Sequence, residues 1–330
     1  MRQYFQTKWV LSAIGVLVFI LYIISIYWSV QPDTFDVNEY SQQQAREQSV
    51  PLVTGYTMTT TLIRVSETLL DKPGGYLSND VIPPSAFMDN MPSWEFGVLE
   101  MVRDLSLAMR KDFSRSQSQS VENQALIEAQ PKFNIDSRRW ILPSAESQYQ
   151  YGIDQLYVYR DGLTNISADQ AQFYARADNL RDWLKQVEKK MGSLSQRLSA
   201  SVGQEMINTD LAGDSAARQS TPNSSQPYIK TSWWKLDDNF YEARGSSWAL
   251  LHFLKAVDTD FADVLEKKNA RVSLQQIIRE LEATQQTVWS PMILNGDGFG
   301  MLANHSLVMA NYISRANAAL IDLSELLSQG

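Results

Sequence analysis

One short segment of the sequence carries acids at a spacing that could support acid and base chemistry. In KLDDNFYEARGSSW, Asp238 and Glu242 are four residues apart, so a helix places both carboxylates on one face, about one turn apart. Such a pair can cleave glycans when burial drives the two pKa values apart. With Arg244 nearby, the same acids could instead form an internal ion pair. The sequence favours the ion pair and keeps the catalytic pair as the alternative.

A glycine-rich stretch, NGDGFGMLANHS, precedes the last predicted helix. Its glycines are spaced GxGxG, whereas a dinucleotide-binding loop requires GxGxxG after a buried strand. It also lacks the distal glutamate of a calcium loop. The simplest interpretation is a turn in which glycines supply positive φ ahead of a helix start. The alternative is a site for an anionic or polar ligand, for which the candidate residues are Asn295, Asp297, Asn304, His305 and Arg244.

Histidine chemistry is limited because the chain has two histidines. We expect His252 to be a packed helix residue, since its neighbours in SSWALLHFLKAV are nearly all apolar. His305 could act as a base, but no GxSxG motif accompanies it. The sequence also lacks HExxH and contains no cysteine, so we expect no metal site and no cofactor. The catalytic candidates are therefore Asp238, Glu242 and His305.

Composition excludes several classes of protein. The 330 residues are 44% hydrophobic and 20% charged, which is typical of a folded chain. The net charge is -8, with no long run of Lys or Arg, so we expect no binding of nucleic acid. The absence of cysteine excludes disulfides and thiol chemistry.

An uncharged segment near the amino end predicts a membrane anchor. Residues 9–28 read WVLSAIGVLVFILYIISIYW, and twenty helical residues cover a hydrocarbon core of about 30 Å. Arg2 and Lys8 precede the segment and acids follow it, which indicates a cytoplasmic amino end. The segment does not end in the small residues of a cleavage site, so we expect it to remain uncleaved. The lipid bilayer is thus the predicted partner of residues 9–28.

The anchor divides the chain into four predicted parts. These are a cytoplasmic tail (1–8), the transmembrane anchor (9–28), a juxtamembrane spacer (29–50) and a periplasmic helical domain (51–330). The spacer is polar and glutamine-rich, so we expect the folded part to begin near Val50. In a Gram-negative cell this arrangement corresponds to a single-pass protein of the inner, cytoplasmic membrane, with its bulk in the periplasm.

Apolar periodicity predicts an all-α fold. TGYTMTTTLIRVSETLLDKPGG forms a helix that KPGG ends, and the next helix opens at Ser93. Two heptad stripes, Phe173 to Leu198 and Leu302 to Leu327, alternate spacings of three and four residues. We expect them to pack within one chain, in an antiparallel multi-helix bundle with long loops. An intermolecular coiled coil, and hence a homo-oligomer, is the alternative.

Two further features complete the predicted architecture. Ser273 followed by Gln276 indicates a capping box at the start of a helix. The long loops are residues 114–143 and residues 203–233, the latter rich in Ser, Thr, Asn, Gln and Pro. Strand-like runs are few and short, so a mixed architecture is disfavoured.

Several phrases of the sequence are similar to a known family. They are LLDKPGGYLSND, MPSWEFGVL, FYARADNLRDWL, YEARGSSWALLH and NGDGFGMLANHSLVMANYISRANAA. The chain resembles an uncharacterised bacterial family, the domain of unknown function 2333, over nearly its whole length after the anchor. The resemblance implies a membrane-anchored envelope protein of Gram-negative bacteria. It implies no catalytic residues, ligand or partner.

Two functions from different classes follow from these observations. The first is a non-enzymatic scaffold or binding module of the cell envelope, which recruits an envelope protein through loops or grooves. The alternative is a periplasmic hydrolase or lyase that acts on cell-wall glycan through helix-borne carboxylates. The sequence favours the first, because no residue spacing reaches the strength of a catalytic motif.

Overall fold

The computed structural model describes residues 2–117, 119–165, 171–205, 228–290, 292–297 and 300–329. Within these ranges the chain forms eleven α-helices, and one antiparallel pair of two-residue strands, β1 (Gln204–Glu205) and β2 (Tyr228–Ile229). The helices are α1 (Arg2–Trp28), α2 (Val37–Gln48), α3 (Tyr56–Asp71), α4 (Asn90–Ala108), α5 (Gln124–Phe133), α6 (Ala145–Thr164), α7 (Ala177–Ser199), α8 (Leu236–Asp260), α9 (Ala262–Lys267), α10 (Arg271–Thr284) and α11 (His305–Ser328). The all-α prediction is confirmed.

Helix α1 contains the segment predicted as the anchor. Its apolar part, Lys8–Trp28, has 21 residues and is long and apolar enough to cross a membrane. At 1.5 Å per residue this part measures about 31 Å, close to the thickness of a hydrocarbon core. Outside its carboxyl-terminal contacts with the helical domain, α1 exposes apolar side chains, as a helix surrounded by lipid would.

The two heptad stripes pair within the chain, as predicted. On α7, the stripe from Leu180 to Leu198 is buried, and it packs along α11. The Ser195 hydroxyl donates to the Ala310 carbonyl at 3.3 Å, and Gly192 faces Asn317, so the two helices run antiparallel. Both stripes were predicted one turn too long at their first residue, because Phe173 and Leu302 precede the helices.

Helices α4 and α8 cross at the centre of the bundle in backbone contact. A Cβ atom on Gly97 of α4 would lie 2.1 Å from the Glu242 carbonyl oxygen of α8. A Cβ atom on Gly245 of α8 would lie 2.1 Å from the Trp94 carbonyl oxygen. The Ser246 hydroxyl also donates to the Gly97 carbonyl at 3.1 Å. Each helix therefore needs a glycine at the crossing.

Three predicted boundaries are wrong. Helix α4 begins at Asn90 rather than Ser93, because Pro92 in its first turn has no N–H group to satisfy. Helix α10 begins at Arg271, so Ser273 lies inside it and no capping box forms. Residues 114–143 contain α5, where the Asn123 side chain accepts the Ala125 N–H. Of the second predicted loop, residues 206–227 lie outside the described part of the chain.

The segment predicted as a spacer packs against the helical domain. Helix α2 buries Val37, Ser41 and Ala45 and contacts α3 and α8. Just before it, the Phe35 N–H donates to Nε2 of His252 at 3.1 Å, and the two rings stack at 4.0 Å. The folded part thus begins well before Val50. The polar composition of this segment does not indicate a packed helix, because α2 buries only small side chains and leaves the others exposed or half-buried.

His252 is a packed helix residue, as expected. Its Nε2 accepts from Phe35, so Nδ1 carries the proton and donates to the Trp248 carbonyl at 2.7 Å. Burial lowers the pKa of His252 to about 3, so the ring is neutral at physiological pH. The indole of Trp248 donates to the Asp33 carbonyl at 3.3 Å. Helix α8 therefore holds the residues that follow the anchor.

Candidate functional site

Two candidate site residues that are distant in sequence line one cavity. This cavity, the Arg244 pocket, has a volume of about 360 Å³ and lies between α8, α10 and α11. It brings together Arg244 and His305, which the sequence analysis named for ligand binding. The remaining lining residues are Phe240, Ala283, Thr284, Gln286, Thr287, Val288, Trp289, Ser290, Val308, Met309 and Tyr312.

Arg244 supplies a buried positive charge to this pocket. Its Nε donates to Oε1 of Gln31 at 2.5 Å, and its Nη1 and Nη2 donate to the Gln286 and Gln285 carbonyls at 2.8 and 3.1 Å. These carbonyls belong to the carboxyl end of α10, where a cation is favoured. Arg244 has no ion pair within 4.0 Å among the described residues, and burial lowers its pKa. Two of its five N–H donors remain for a ligand.

His305 begins α11 and is oriented by the chain before it. Its Nδ1 accepts the Leu294 N–H at 3.0 Å, so the neutral ring carries its proton on Nε2. Burial lowers the pKa of His305, which favours this neutral form. The Nε2–H group is then a hydrogen-bond donor for a ligand in the pocket that the ring lines. A neutral donor of this kind suits binding better than proton abstraction.

The chemistry of the Arg244 pocket favours an anion on an apolar body. None of its described lining residues is Asp or Glu, while Arg244, His305 and Tyr312 can donate hydrogen bonds. Phe240, Trp289 and several aliphatic side chains form the rest of the wall. Pockets of this composition bind the apolar part by burial and orient it through a few polar contacts.

The pocket lies beside the end of the anchor. Gln31, which accepts from Arg244, is three residues after Trp28, the last residue of α1. One hydrogen bond thus joins the guanidinium to the segment that leaves the predicted span. A ligand in the pocket would lie near the residues that follow α1.

The glycine-rich stretch forms a hairpin that caps α11. The Asn304 side chain accepts the Leu307 N–H at 2.9 Å and donates to Oδ1 of Asn295 at 3.0 Å and to the Gly296 carbonyl at 2.5 Å. Asn295 and Asn304 also form a bridge between the two arms. These two ligand candidates hold the hairpin together. Asp297 is exposed, and the hairpin positions His305.

The role predicted for the glycines needs correction. Gly296 and Gly300 do not have the positive φ that was expected of them. Close approach is the reason for Gly296, since a Cβ atom there would lie 2.1 Å from the Leu302 carbonyl oxygen. At Gly300 a Cβ atom would lie 2.6 Å from a carboxylate oxygen of Asp297. Gly298 lies outside the described residues.

Asp238 and Glu242 line a different cavity, the acidic cleft. This cleft has a volume of about 720 Å³ and lies between the start of α8, the loop before α4 and residues 137–138. Both oxygens of Glu242 accept from Arg197 of α7, at 2.7 and 2.5 Å. The internal ion pair thus involves Arg197, while Arg244 points to the other pocket. Asp238 accepts from Ser93 at 3.0 Å, and burial raises its pKa, with smaller contributions from Asp89 and Asp237.

Nearly the whole sequence matches a family model. The model is described as an uncharacterised protein conserved in bacteria (DUF2333), and it matches residues 2–330. The chain belongs to this family. The resemblance seen in five phrases of the sequence is thereby confirmed, and the match includes α1 as well as the helical domain. No curated protein and no solved structure matches the chain.

Two buried carboxylates in this member of the family were not anticipated. Glu95 of α4 accepts the Leu77 and Ser78 N–H groups, both at 2.8 Å, and pairs with Lys72 at 2.5 Å. It fixes the KPGGYLS turn beside the acidic cleft. Asp260, at the end of α8, accepts the Met58 N–H at 2.7 Å and so caps α3. Isolated acids in helices gave no sequence signal, because their partners are distant in the chain.

Proposed function

We propose that the chain is a single-pass protein of the inner membrane whose helical domain lies in the periplasm and acts as a non-enzymatic binding module. The basic residues Arg2 and Lys8 at the amino end of α1 and the acids after this helix support a cytoplasmic amino end. The contacts of α8 with Gln31, Asp33 and Phe35 support a domain held close to the membrane rather than on a flexible tether.

The buried guanidinium of Arg244 in an apolar pocket is the observation that carries the proposed binding activity. A buried cation without a carboxylate partner favours an anionic ligand group, because that group would regain the electrostatic stabilisation lost on burial. The pocket volume of about 360 Å³ is near the lower end of the usual range for ligand sites, about 300–1,000 Å³. The ligand class is therefore a small amphiphile with one carboxylate or phosphate group.

An envelope protein partner is part of the same proposal. Trp289, Met292, Met301 and Leu302 are exposed near the pocket and the hairpin that caps α11. Clusters of exposed apolar side chains commonly mark interaction surfaces. The partner would bind this side of the domain and detect whether the pocket is occupied.

Glycan cleavage by the acidic cleft has less support. Arg197 occupies both oxygens of Glu242, so the predicted pair of acids lacks a free second carboxylate. Asp238 could donate a proton, since burial raises its pKa. The predicted pair therefore does not supply both the acid and the base that this chemistry usually requires.

Calorimetric titration of the full chain in lipid nanodiscs tests the binding proposal. The probes are 3-phenylpropionate and the uncharged 3-phenylpropan-1-ol, with the heat from empty nanodiscs subtracted. We expect the acid to bind at least about tenfold more tightly, because about 1.4 kcal/mol from the guanidinium is sufficient for that ratio. Val308→Trp, which fills the pocket, should abolish binding, whereas Val272→Trp, on an exposed position of α10, should not.

Three results would contradict the binding proposal. They are equal affinity for the acid and the alcohol, undiminished binding by Val308→Trp, and no binding of the acid at millimolar concentration. The two tryptophan variants are matched in the residue replaced, and both positions are exposed in the structure. A difference between them therefore reports on the pocket rather than on folding.

A further inference from the structure

The loop between α3 and α4 exposes large apolar side chains. Residues 81–88, VIPPSAFM, are here named the apolar loop. Ile82 is 72% exposed and Phe87 is 84% exposed, and Val81 is exposed as well. A contiguous apolar surface of this kind is unfavourable in water and usually marks a partner or a membrane.

The apolar loop lies alongside the membrane-spanning part of α1. A cavity of about 420 Å³ separates them, lined by Val18, Leu21, Tyr22 and Ser25 on α1. On the other side it is lined by Pro83, Pro84, Phe87 and Met88 of the apolar loop, and by Asp89, Asn90 and Met91, which follow the loop. The loop thus runs beside the span itself, not only beside its end.

The level of the apolar loop along α1 gives its depth in the membrane. Leu21 and Val18 are seven and ten residues before Trp28, about 10 Å and 15 Å along the helix axis. A hydrocarbon core is about 30 Å thick, so Val18 would lie near its middle when Trp28 lies at the interface. The cavity extends along α1 from Val18 to Ser29, so the side chains of the apolar loop that line it lie between the middle of the hydrocarbon core and the interface.

The base of the apolar loop is fixed relative to α1. The Trp28 ring packs over the backbone of Gly74, where a Cβ atom would lie 2.7 Å from Cγ of the indole. Glu95 binds the N–H groups of Leu77 and Ser78, and Ser78 lies three residues before the loop. Within the loop, the Ser85 hydroxyl donates to the Ile82 carbonyl at 2.7 Å. The chain that leads into the loop is thus held against the end of α1.

A second exposed apolar segment begins beside the first. The Arg139 carbonyl accepts hydrogen bonds from the Asn79 side chain at 3.0 Å and from the Ala145 N–H at 2.9 Å. The second bond closes a short loop, residues 139–145, and the first places this loop next to the base of the apolar loop. The short loop contains Trp140, Ile141 and Leu142, and Leu142 is 85% exposed. Arg138 and Arg139 precede it and are exposed. Cations followed by an aromatic residue suit the level of lipid headgroups.

We propose that residues 81–88 and 140–142 insert into the lipid leaflet that faces the helical domain and form, with α1, a second membrane contact. Lipid is the chosen occupant because the apolar loop continues the surface of a helix that itself spans the bilayer. This contact fixes the orientation of the domain on the membrane. It does not depend on the ligand of the Arg244 pocket, nor on which side of the membrane the domain occupies.

Quenching by brominated lipids tests the second membrane contact directly. Because the chain contains no cysteine, single variants can be labelled specifically with an NBD fluorophore in the full chain, reconstituted into phosphatidylethanolamine and phosphatidylglycerol vesicles. The test positions are Ile82→Cys, Phe87→Cys and Leu142→Cys. Val16→Cys in the span is the positive control, and Val121→Cys, 92% exposed, is the aqueous control.

Bromine on the acyl chains should quench Ile82→Cys and Phe87→Cys at least half as strongly as Val16→Cys. Leu142→Cys should also be quenched, and Val121→Cys should not. Ile82 does not line the cavity beside α1, so its result is free of shielding by that helix. If the fluorophores at positions 82 and 87 are quenched no more than the one at position 121, the proposal is overturned. Quenching restricted to those two would overturn the inclusion of residues 140–142.

Discussion

Alanine in place of Gly245 or Gly97 is expected to lower the free energy of unfolding of the helical domain by about 3 kcal/mol. At both positions the added Cβ atom would lie 2.1 Å from a backbone carbonyl oxygen of the facing helix. Backbone atoms cannot move aside as the end of a side chain can, so α4 and α8 must separate. The loss can be measured by urea denaturation of the full chain in nanodiscs, followed by circular dichroism.

Gly192→Ala is the matched control for the glycine crossing. Gly192 also lies within a helix at a helix–helix seam, but its Cβ atom would lie 3.6 Å from Nδ2 of Asn317, an ordinary contact. Alanine has the higher helix propensity, so this variant should be more stable by about 0.5–1 kcal/mol. Equal stability of Gly245→Ala and Gly192→Ala would show that α4 and α8 are not in backbone contact.

Asp260→Asn is expected to change how stability depends on pH. Burial raises the pKa of Asp260 from 3.8 to about 7 in the folded protein. A raised pKa means that the folded state binds the proton more tightly, so the stabilisation is present below about pH 4 and is lost as pH rises towards 7. Asparagine keeps an acceptor for the Met58 N–H but does not ionise.

The difference in unfolding free energy, variant minus wild type, should therefore rise between pH 4 and pH 8. A shift of roughly three pK units corresponds to about 4 kcal/mol, which is an upper bound because Asp260 keeps some contact with water. Denaturation of both proteins at several pH values measures this difference. Protonation of His252 at low pH destabilises both proteins equally, so its effect cancels. Asp263→Asn, at an exposed position of α9, is the control, and its unfolding free energy should depend on pH as that of the wild type does. A difference that does not vary with pH would contradict a protonated Asp260.

The long helices could be predicted because their apolar pattern is local and repeated. The stripes of α7 and α11 recur over more than six turns, and pairing of these two helices buries both. The predicted start of α4 is three residues too late, because a proline can either precede a helix or lie in its first turn, as Pro92 does. Helix α5 was missed, since ten residues with a proline near the end give little periodicity.

The candidate site depends on tertiary contacts, which explains why it was only partly predicted. Arg244 and His305 were both named from the sequence, but nothing local indicated that three helices bring them to one pocket. The sequence predicts an internal ion pair of Asp238 or Glu242 with the nearby Arg244, but two residues of separation direct Glu242 and Arg244 to different faces of a helix. The ion pair with Arg197 requires α7, 45 residues away in the chain.

The residues that follow α1 hold the helical domain close to the end of that helix. Gln31, Asp33 and Phe35 are each hydrogen-bonded to α8, within eight residues of the end of α1. Such a link leaves little length for independent motion, so the helical domain should lie directly on the membrane. The Arg244 pocket and the apolar loop would then both be close to lipid.

Site-specific labelling in cells tests the central claim, that α1 crosses the inner membrane and leaves the helical domain in the periplasm. Cysteine is introduced at Gln3 or at the exposed Val121, and spheroplasts with an intact inner membrane are treated with a membrane-impermeant maleimide. We predict labelling of Val121→Cys in intact spheroplasts and labelling of Gln3→Cys only after the inner membrane is lysed. Labelling of Gln3→Cys in intact spheroplasts, with Val121→Cys protected, would contradict the claim.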